Sequence, residues 1–159
     1  MINNKIIIYV ILFGALSGCA SYYKAPTGIK TAQISFITNT RPVMVQAFAN
    51  ESCDILPYGV RLAYIDPALD SEGKYDGPKQ IEAGKPLILT LKKTVNPFAG
   101  GSTCAMTFKF TPEARQEYIA SLVIEGNTCK YNIKKKIGEK LVNIPDLKQL
   151  PKVCFTTNA

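Results

Sequence analysis

The chain has 159 residues, 47% of them hydrophobic, and a formal net charge of +7, which suits one globular domain with a real core. It contains no histidine, so catalytic devices that require imidazole are excluded, and a structural zinc site is disfavoured because no C-x-x-C spacing occurs either. The charge is uneven, since residues 51–82 hold seven acidic and three basic residues, whereas residues 85–154 hold twelve basic and five acidic residues.

The amino-terminal segment has the pattern of a secretory signal peptide. Lys5 supplies a positive charge, and the apolar run at 6–15 is too short for a membrane span, which needs about 20 residues. The run ends in Leu16-Ser17-Gly18-Cys19. This sequence resembles the lipobox of bacterial lipoproteins, in which the cysteine thiol receives a diacylglycerol, the chain is cut just before it and the new amino group is acylated.

The lipobox resemblance predicts three parts of the chain. These are a signal peptide at 1–18, a lipidated tether at 19–30 and a folded domain at 31–159. One acyl chain alone gives marginal membrane binding, whereas two or three chains on Cys19 give stable anchoring. The family often has aspartate after the cysteine in inner-membrane members, so Ala20 implies the outer membrane, with the domain facing the periplasm.

Seven short segments of the predicted domain show the period of two that is typical of half-buried strands. These segments predict an all-β fold, an antiparallel β-sandwich of immunoglobulin or transthyretin type, with an open barrel as the alternative. Pro145 predicts a single helical turn within 144–151. The predicted strands lie at 31–38, 42–48, 60–65, 86–93, 104–110, 118–124 and 129–137.

The segment "FTPEARQEY" (110–118) connects the fifth and sixth predicted strands. Its proline, polar loop and closing tyrosine predict a tyrosine corner, in which the Tyr118 hydroxyl bonds a nearby loop backbone. Together with Cys104 and Cys129, the segment resembles a pattern of small proteobacterial envelope lipoproteins. Many of those have glycine where Arg115 stands, so the turn is expected to differ here. The resemblance implies a β-sandwich and an envelope location, and no particular activity.

Four cysteines remain when Cys19 is set aside, and they allow three pairings. An exported chain with an even set of this kind is expected to form two disulfides. If 104–110 and 118–124 form a hairpin, Cys104 lies close to Cys129, and this bond leaves Cys53 to pair with Cys154.

The run "KYNIKKKIGEK" (130–140) is the densest basic stretch. Lys130, Lys134 and Lys136 are predicted on one strand face, with Lys135 on the other. Lysines on both faces are typical of a protected edge strand, which is the favoured interpretation. The alternative is a surface that contacts anionic lipid or glycan.

A search for chemistry yields one acidic cluster, in the segment 65–77. Its spacing does not match the calcium-binding loop pattern, so a solvated loop is favoured and no metal or other cofactor is predicted. The predicted function is therefore a non-catalytic binding or structural role for a membrane-anchored envelope lipoprotein, with an envelope protein or glycan as partner and no nucleic acid. The alternatives are an inhibitor or immunity-type lipoprotein and a periplasmic carboxylate-based hydrolase. The latter would use Asp66, Asp70, Glu72 and Asp76.

Overall fold

The computed structural model describes residues 23–40, 42–56, 60–65, 77–93 and 103–157. These residues form ten β-strands, three more than the sequence predicts. The additional strands are short, with three or four residues each, so their alternation is too brief to stand out in the sequence. In chain order the strands are β1 (Thr31–Thr38), β2 (Val43–Phe48), β3 (Arg61–Ile65), β4 (Lys79–Glu82), β5 (Leu87–Lys93), β6 (Ala105–Phe110), β7 (Glu117–Glu125), β8 (Thr128–Ile137), β9 (Lys140–Asn143) and β10 (Lys148–Leu150).

Two five-stranded sheets contain these strands, and their facing sides bury one core, so the predicted β-sandwich is confirmed. Sheet I has the order β4-β1-β7-β8-β9, and sheet II has the order β10-β6-β5-β2-β3. All pairs are antiparallel except one, because β1 runs parallel to β7, with Ile34 opposite Tyr118. The core takes its members from both sheets, including Ile34, Leu89 and Leu122, none of which has any exposed surface.

The predicted hairpin between the fifth and sixth strands is wrong. Strand β6 pairs with β5 and β10 in sheet II, so both of its edges are occupied, and β7 pairs with β1 and β8 in sheet I. The connection at 111–116 therefore crosses from one sheet to the other. The edge-strand interpretation of the run 130–140 is correct only in part, because β9 pairs with β8 along residues 134–137. Among the described strands, residues 128–133 of β8 pair only with β7, and Lys140 lies in β9, which is the edge strand of sheet I.

The predicted helical turn at 144–151 is wrong as well. Pro145 begins a tight turn, in which the Leu147 N–H donates to the Ile144 carbonyl at 3.2 Å, and the chain then enters β10. Strand β10 pairs with β6 through Gln149 and Phe108. Proline suits the first position of a turn as well as that of a helix, so the residue alone does not distinguish the two.

The carboxyl-terminal segment 151–157 covers the outer side of sheet II. Gln46, which is fully buried in β2, receives a hydrogen bond from the Thr156 N–H at 3.1 Å and donates to the Thr156 carbonyl at 2.8 Å. The Cys154 N–H donates to the Thr107 hydroxyl at 3.0 Å. This cover explains why β5 is buried on both sides, with Ile88 facing Phe48 and Cys154 in a second, smaller core.

Candidate functional site

Both disulfides are present, with the pairing that the sequence favours. The inter-sheet disulfide joins Cys104, just before β6 in sheet II, to Cys129 in β8 of sheet I, with 6.0 Å between the Cα atoms. The tail disulfide joins Cys53 to Cys154, with a Cα separation of 5.3 Å, and holds the carboxyl-terminal segment on sheet II. The first bond therefore braces the sandwich across its core, although the hairpin from which it was predicted does not form.

The tyrosine corner is confirmed. Tyr118 is 1% exposed, and its hydroxyl accepts a hydrogen bond from the Glu113 N–H at 2.8 Å. Burial raises the pKa of Tyr118, and the hydrogen bond from the Glu113 backbone opposes that rise in part. The Tyr118 ring packs at 5.2 Å from the ring of Phe110, so the connection between the sheets is held at both ends.

Arg115 lies in the turn that the tyrosine corner holds. Its φ is +63°, in the left-handed region that favours glycine, and its N–H donates to the Thr31 carbonyl at 2.8 Å. The turn therefore has the backbone conformation that a glycine would adopt, with an exposed arginine side chain in its place. As a result, a cation is fixed beside the first residue of β1.

The predicted anionic-surface lysines do lie on one face of β8, but each has a partner. Lys130 forms an ion pair with Glu125, Lys134 donates to the Asn143 side chain at 2.7 Å, and Lys136 lies 3.3 Å from the Glu117 carboxylate.

Lys135, on the other face, donates to both Glu113 carboxylate oxygens at 2.8 Å. These pairs balance much of the positive charge that the sequence concentrates in the run.

Residues 23–30 lie across the end of the sandwich at which β1, β3 and β5 begin. The Tyr23 N–H donates to the Arg61 carbonyl at 2.9 Å, and the Tyr23 ring packs against the main core. On the other side, the Ala83 N–H donates to the Lys30 carbonyl at 2.9 Å. The segment assigned to the tether is thus attached to both sheets from Tyr23 onward. We call this end of the sandwich the tether end.

The tether end contains an apolar groove of about 430 Å³. We call it the tether-end groove. At its rim Lys85 and Glu82 form an ion pair at 2.7 Å, in which the lysine side chain is 74% exposed. The groove is lined by Tyr23, Ile29, Ala49, Leu56, Glu82, Lys85, Pro86 and Leu87.

A second, more open hollow of about 640 Å³ lies next to the groove and shares Ile29 with it. Lys30 and Arg115 line this cationic hollow, and both side chains are exposed. Within the described ranges, neither cation forms an ion pair with a carboxylate. Sequence reasoning missed both surfaces. The sequence feature that could have indicated them is Gly28-Ile29-Lys30, in which an isoleucine stands between a glycine and a lysine. These residues were assigned to the tether instead.

Two predicted features lie outside the described residues: Cys19 with the lipobox, and the acidic residues Asp66, Asp70, Glu72 and Asp76. In the described ranges, no three Cys, Asp or Glu side chains come together as a metal site would require. No described segment forms a helix with the length and apolarity that a bilayer crossing demands. Neither a protein-family model nor a curated protein sequence matches the chain significantly.

Proposed function

We propose that the chain is a bacterial envelope lipoprotein, anchored through acyl chains on Cys19, whose β-sandwich has a non-catalytic binding or structural role. The observation that carries this proposal is the Leu16-Ser17-Gly18-Cys19 motif at the end of a signal-peptide pattern. The two disulfides support it, because such bonds persist in oxidising compartments such as the periplasm.

The position of Tyr23 adds support. Only Ala20, Ser21 and Tyr22 separate it from Cys19, and Tyr23 is already attached to the sandwich. A lipidated mature chain would therefore pass from its anchor into its folded domain almost at once. The absence of histidine supports a binding or structural role over hydrolysis by a device that requires imidazole.

Mass spectrometry of the protein purified from its native membrane tests the anchor. We expect a mature chain that begins at Cys19 and carries a diacylglycerol and an amide-linked acyl group. The Cys19→Ala variant, expressed alongside, should lack these groups and leave the membrane fraction. An intact leader, or a mature terminus without acyl groups, would refute the proposal.

Separation of inner and outer membranes tests the location that Ala20 implies. The lipidated protein should be recovered with the outer membrane, and an Ala20→Asp variant should shift toward the inner membrane. A pull-down of the lipidated protein from detergent-solubilised envelope, compared with Cys19→Ala, tests the binding role. Recovery of one partner in stoichiometric amount would support a complex subunit.

A further inference from the structure

We propose that the tether end is a membrane-contact surface, in which the cationic hollow of Lys30 and Arg115 binds anionic phospholipid headgroups while Ile29 and the tether-end groove rest on the leaflet that holds Cys19. This inference rests on the proposed lipid anchor and goes beyond it, because it assigns an orientation to the domain and names the surface that touches lipid.

The length of chain between Cys19 and the domain limits how far the tether end can lie from the membrane. An extended chain spans at most about 3.6 Å per residue, so Tyr23 lies within about 14 Å of Cys19. The headgroup layer of one leaflet is itself about 5–8 Å thick. Since Tyr23 is attached to the first residue of β3, the tether end is held close to the headgroups. The other end of the sandwich lies farther away by the length of β5, which is about 20 Å.

The chemistry of the tether end matches an interface between water and lipid. Ile29 is 45% exposed, although it is apolar, and it borders both the groove and the cationic hollow. Tyr23 has the amphipathic ring that is enriched at membrane interfaces. Lys30 and Arg115 place two cations beside Ile29, and exposed basic residues near an anionic leaflet each contribute about 1 kcal/mol.

The turn conformation makes the arginine a fixed feature of this surface. The backbone of Arg115 is held by the Thr31 carbonyl, and Glu113, two residues earlier, is held by the Tyr118 hydroxyl. The Glu113 carboxylate is directed to Lys135, at 2.8 Å, rather than to Arg115. The guanidinium therefore remains available to a phosphate, for which its planar fork is well suited.

The test supplies the anchor chemically, so that it does not depend on natural lipidation. Cys19 is the one cysteine outside the two disulfides, and it can be coupled to a maleimide lipid in nanodiscs. Both cores draw their members from residues 23–154, so a chain that begins at Cys19 retains them. NMR with a water-soluble paramagnetic agent then reports the exposure of two methyl groups: Ile29 at the tether end and Ile37, which is 53% exposed near the other end of β1.

The paramagnetic agent broadens the signals of methyl groups that water reaches. We expect the Ile29 signal to be protected from this broadening on phosphatidylglycerol nanodiscs, and less protected on phosphatidylcholine nanodiscs. The Ile37 signal should be broadened on both. The double variant Lys30→Glu/Arg115→Gly should weaken contact of the tether end with the phosphatidylglycerol surface. We expect the equilibrium constant for this contact to fall at least about fivefold for each cation removed, which corresponds to about 1 kcal/mol per cation. Lys93→Glu, at the far end of β5, makes the same charge change as Lys30→Glu and should leave the protection unchanged.

Equal broadening of both isoleucines on the anionic nanodiscs would overturn the proposal, as would protection that the double variant leaves intact. Protection that appears without lipid and grows with protein concentration would also overturn it, because a second copy would then cover the surface. Absence of acyl groups on the native protein would refute the proposed anchor instead. These outcomes are distinguishable, because the coupled sample has an anchor in either case.

Discussion

Removal of the Tyr118 hydroxyl gives the sharpest test of how the connection between the sheets is held. In Tyr118→Phe the ring can still pack against Phe110, but the Glu113 N–H loses its acceptor. A buried or partly buried donor without a partner costs about 1–3 kcal/mol. We expect about 1–2 kcal/mol here, since the Glu113 amide is only partly buried. That is a large fraction of a typical stability of about 5–15 kcal/mol.

Tyr131→Phe provides the matched control. Tyr131 also packs beside a phenylalanine of β6, with 6.3 Å between the ring centroids of Tyr131 and Phe108. Its hydroxyl forms no hydrogen bond with the part of the chain that the structure describes. Loss of this hydroxyl should therefore change the free energy of unfolding by less than about 0.5 kcal/mol, the range expected where no specific contact is broken.

Urea denaturation at neutral pH gives the free energy of unfolding of both variants from the midpoint and slope. Hydrogen exchange of the Glu113 amide adds a local measurement. Its exchange rate should rise in Tyr118→Phe and should not change in Tyr131→Phe. Equal losses of stability in the two variants would refute the reasoning, as would a Glu113 amide that stays protected in Tyr118→Phe. Either result would mean that burial of the ring, rather than the hydroxyl, holds the connection.

Three further predictions concern the disulfides, the turn and the response to alkaline pH. Double Cys→Ala variants should cost about 3.5 kcal/mol for the inter-sheet disulfide, which closes 25 residues, and about 4.7 kcal/mol for the tail disulfide, which closes 101 residues, because the longer loop constrains the unfolded chain more. The reverse order in urea denaturation would contradict this chain-entropy account. Arg115→Gly should be more stable than Arg115→Ala by about 1 kcal/mol, since only glycine adopts a positive φ without cost, and equal urea midpoints would argue against this turn conformation. Burial raises the pKa of Tyr131 in the folded state to about 12, above its ordinary value of 10.0, so the unfolded chain loses this proton first and stability should fall as the pH rises from 10 to 12. Tyr131→Phe should lose less stability across that range in urea titrations, and an identical decline in both proteins would rule out this contribution.

The sequence alone correctly predicted the features that depend on a local alternation of apolar and polar residues, or on single side chains. The period of two in β1 predicted a half-buried strand, and in the structure Ile34 and Phe36 are buried on one side while Gln33 and Ile37 are exposed on the other. The tyrosine at the start of β7 was recognisable from its proline and polar loop. The correct disulfides were also selected, but from a hairpin that does not form, so the agreement came from the proximity of strand ends in a sandwich.

Only the tertiary structure decided which strands are neighbours. The alternation of apolar and polar residues defines the buried face of a strand, but it carries no information about which strand is its neighbour in the sheet. The sequence therefore could not show that β1 pairs in parallel with β7, or that β6 and β7 belong to different sheets. The same limit applies to the tether end. Lys30 and Arg115 are distant in the chain, and they come to line one hollow because the Arg115 N–H bonds to the carbonyl of Thr31, the residue after Lys30. Long-range contacts of this kind depend on how the whole chain closes around its core, which no short stretch of sequence records.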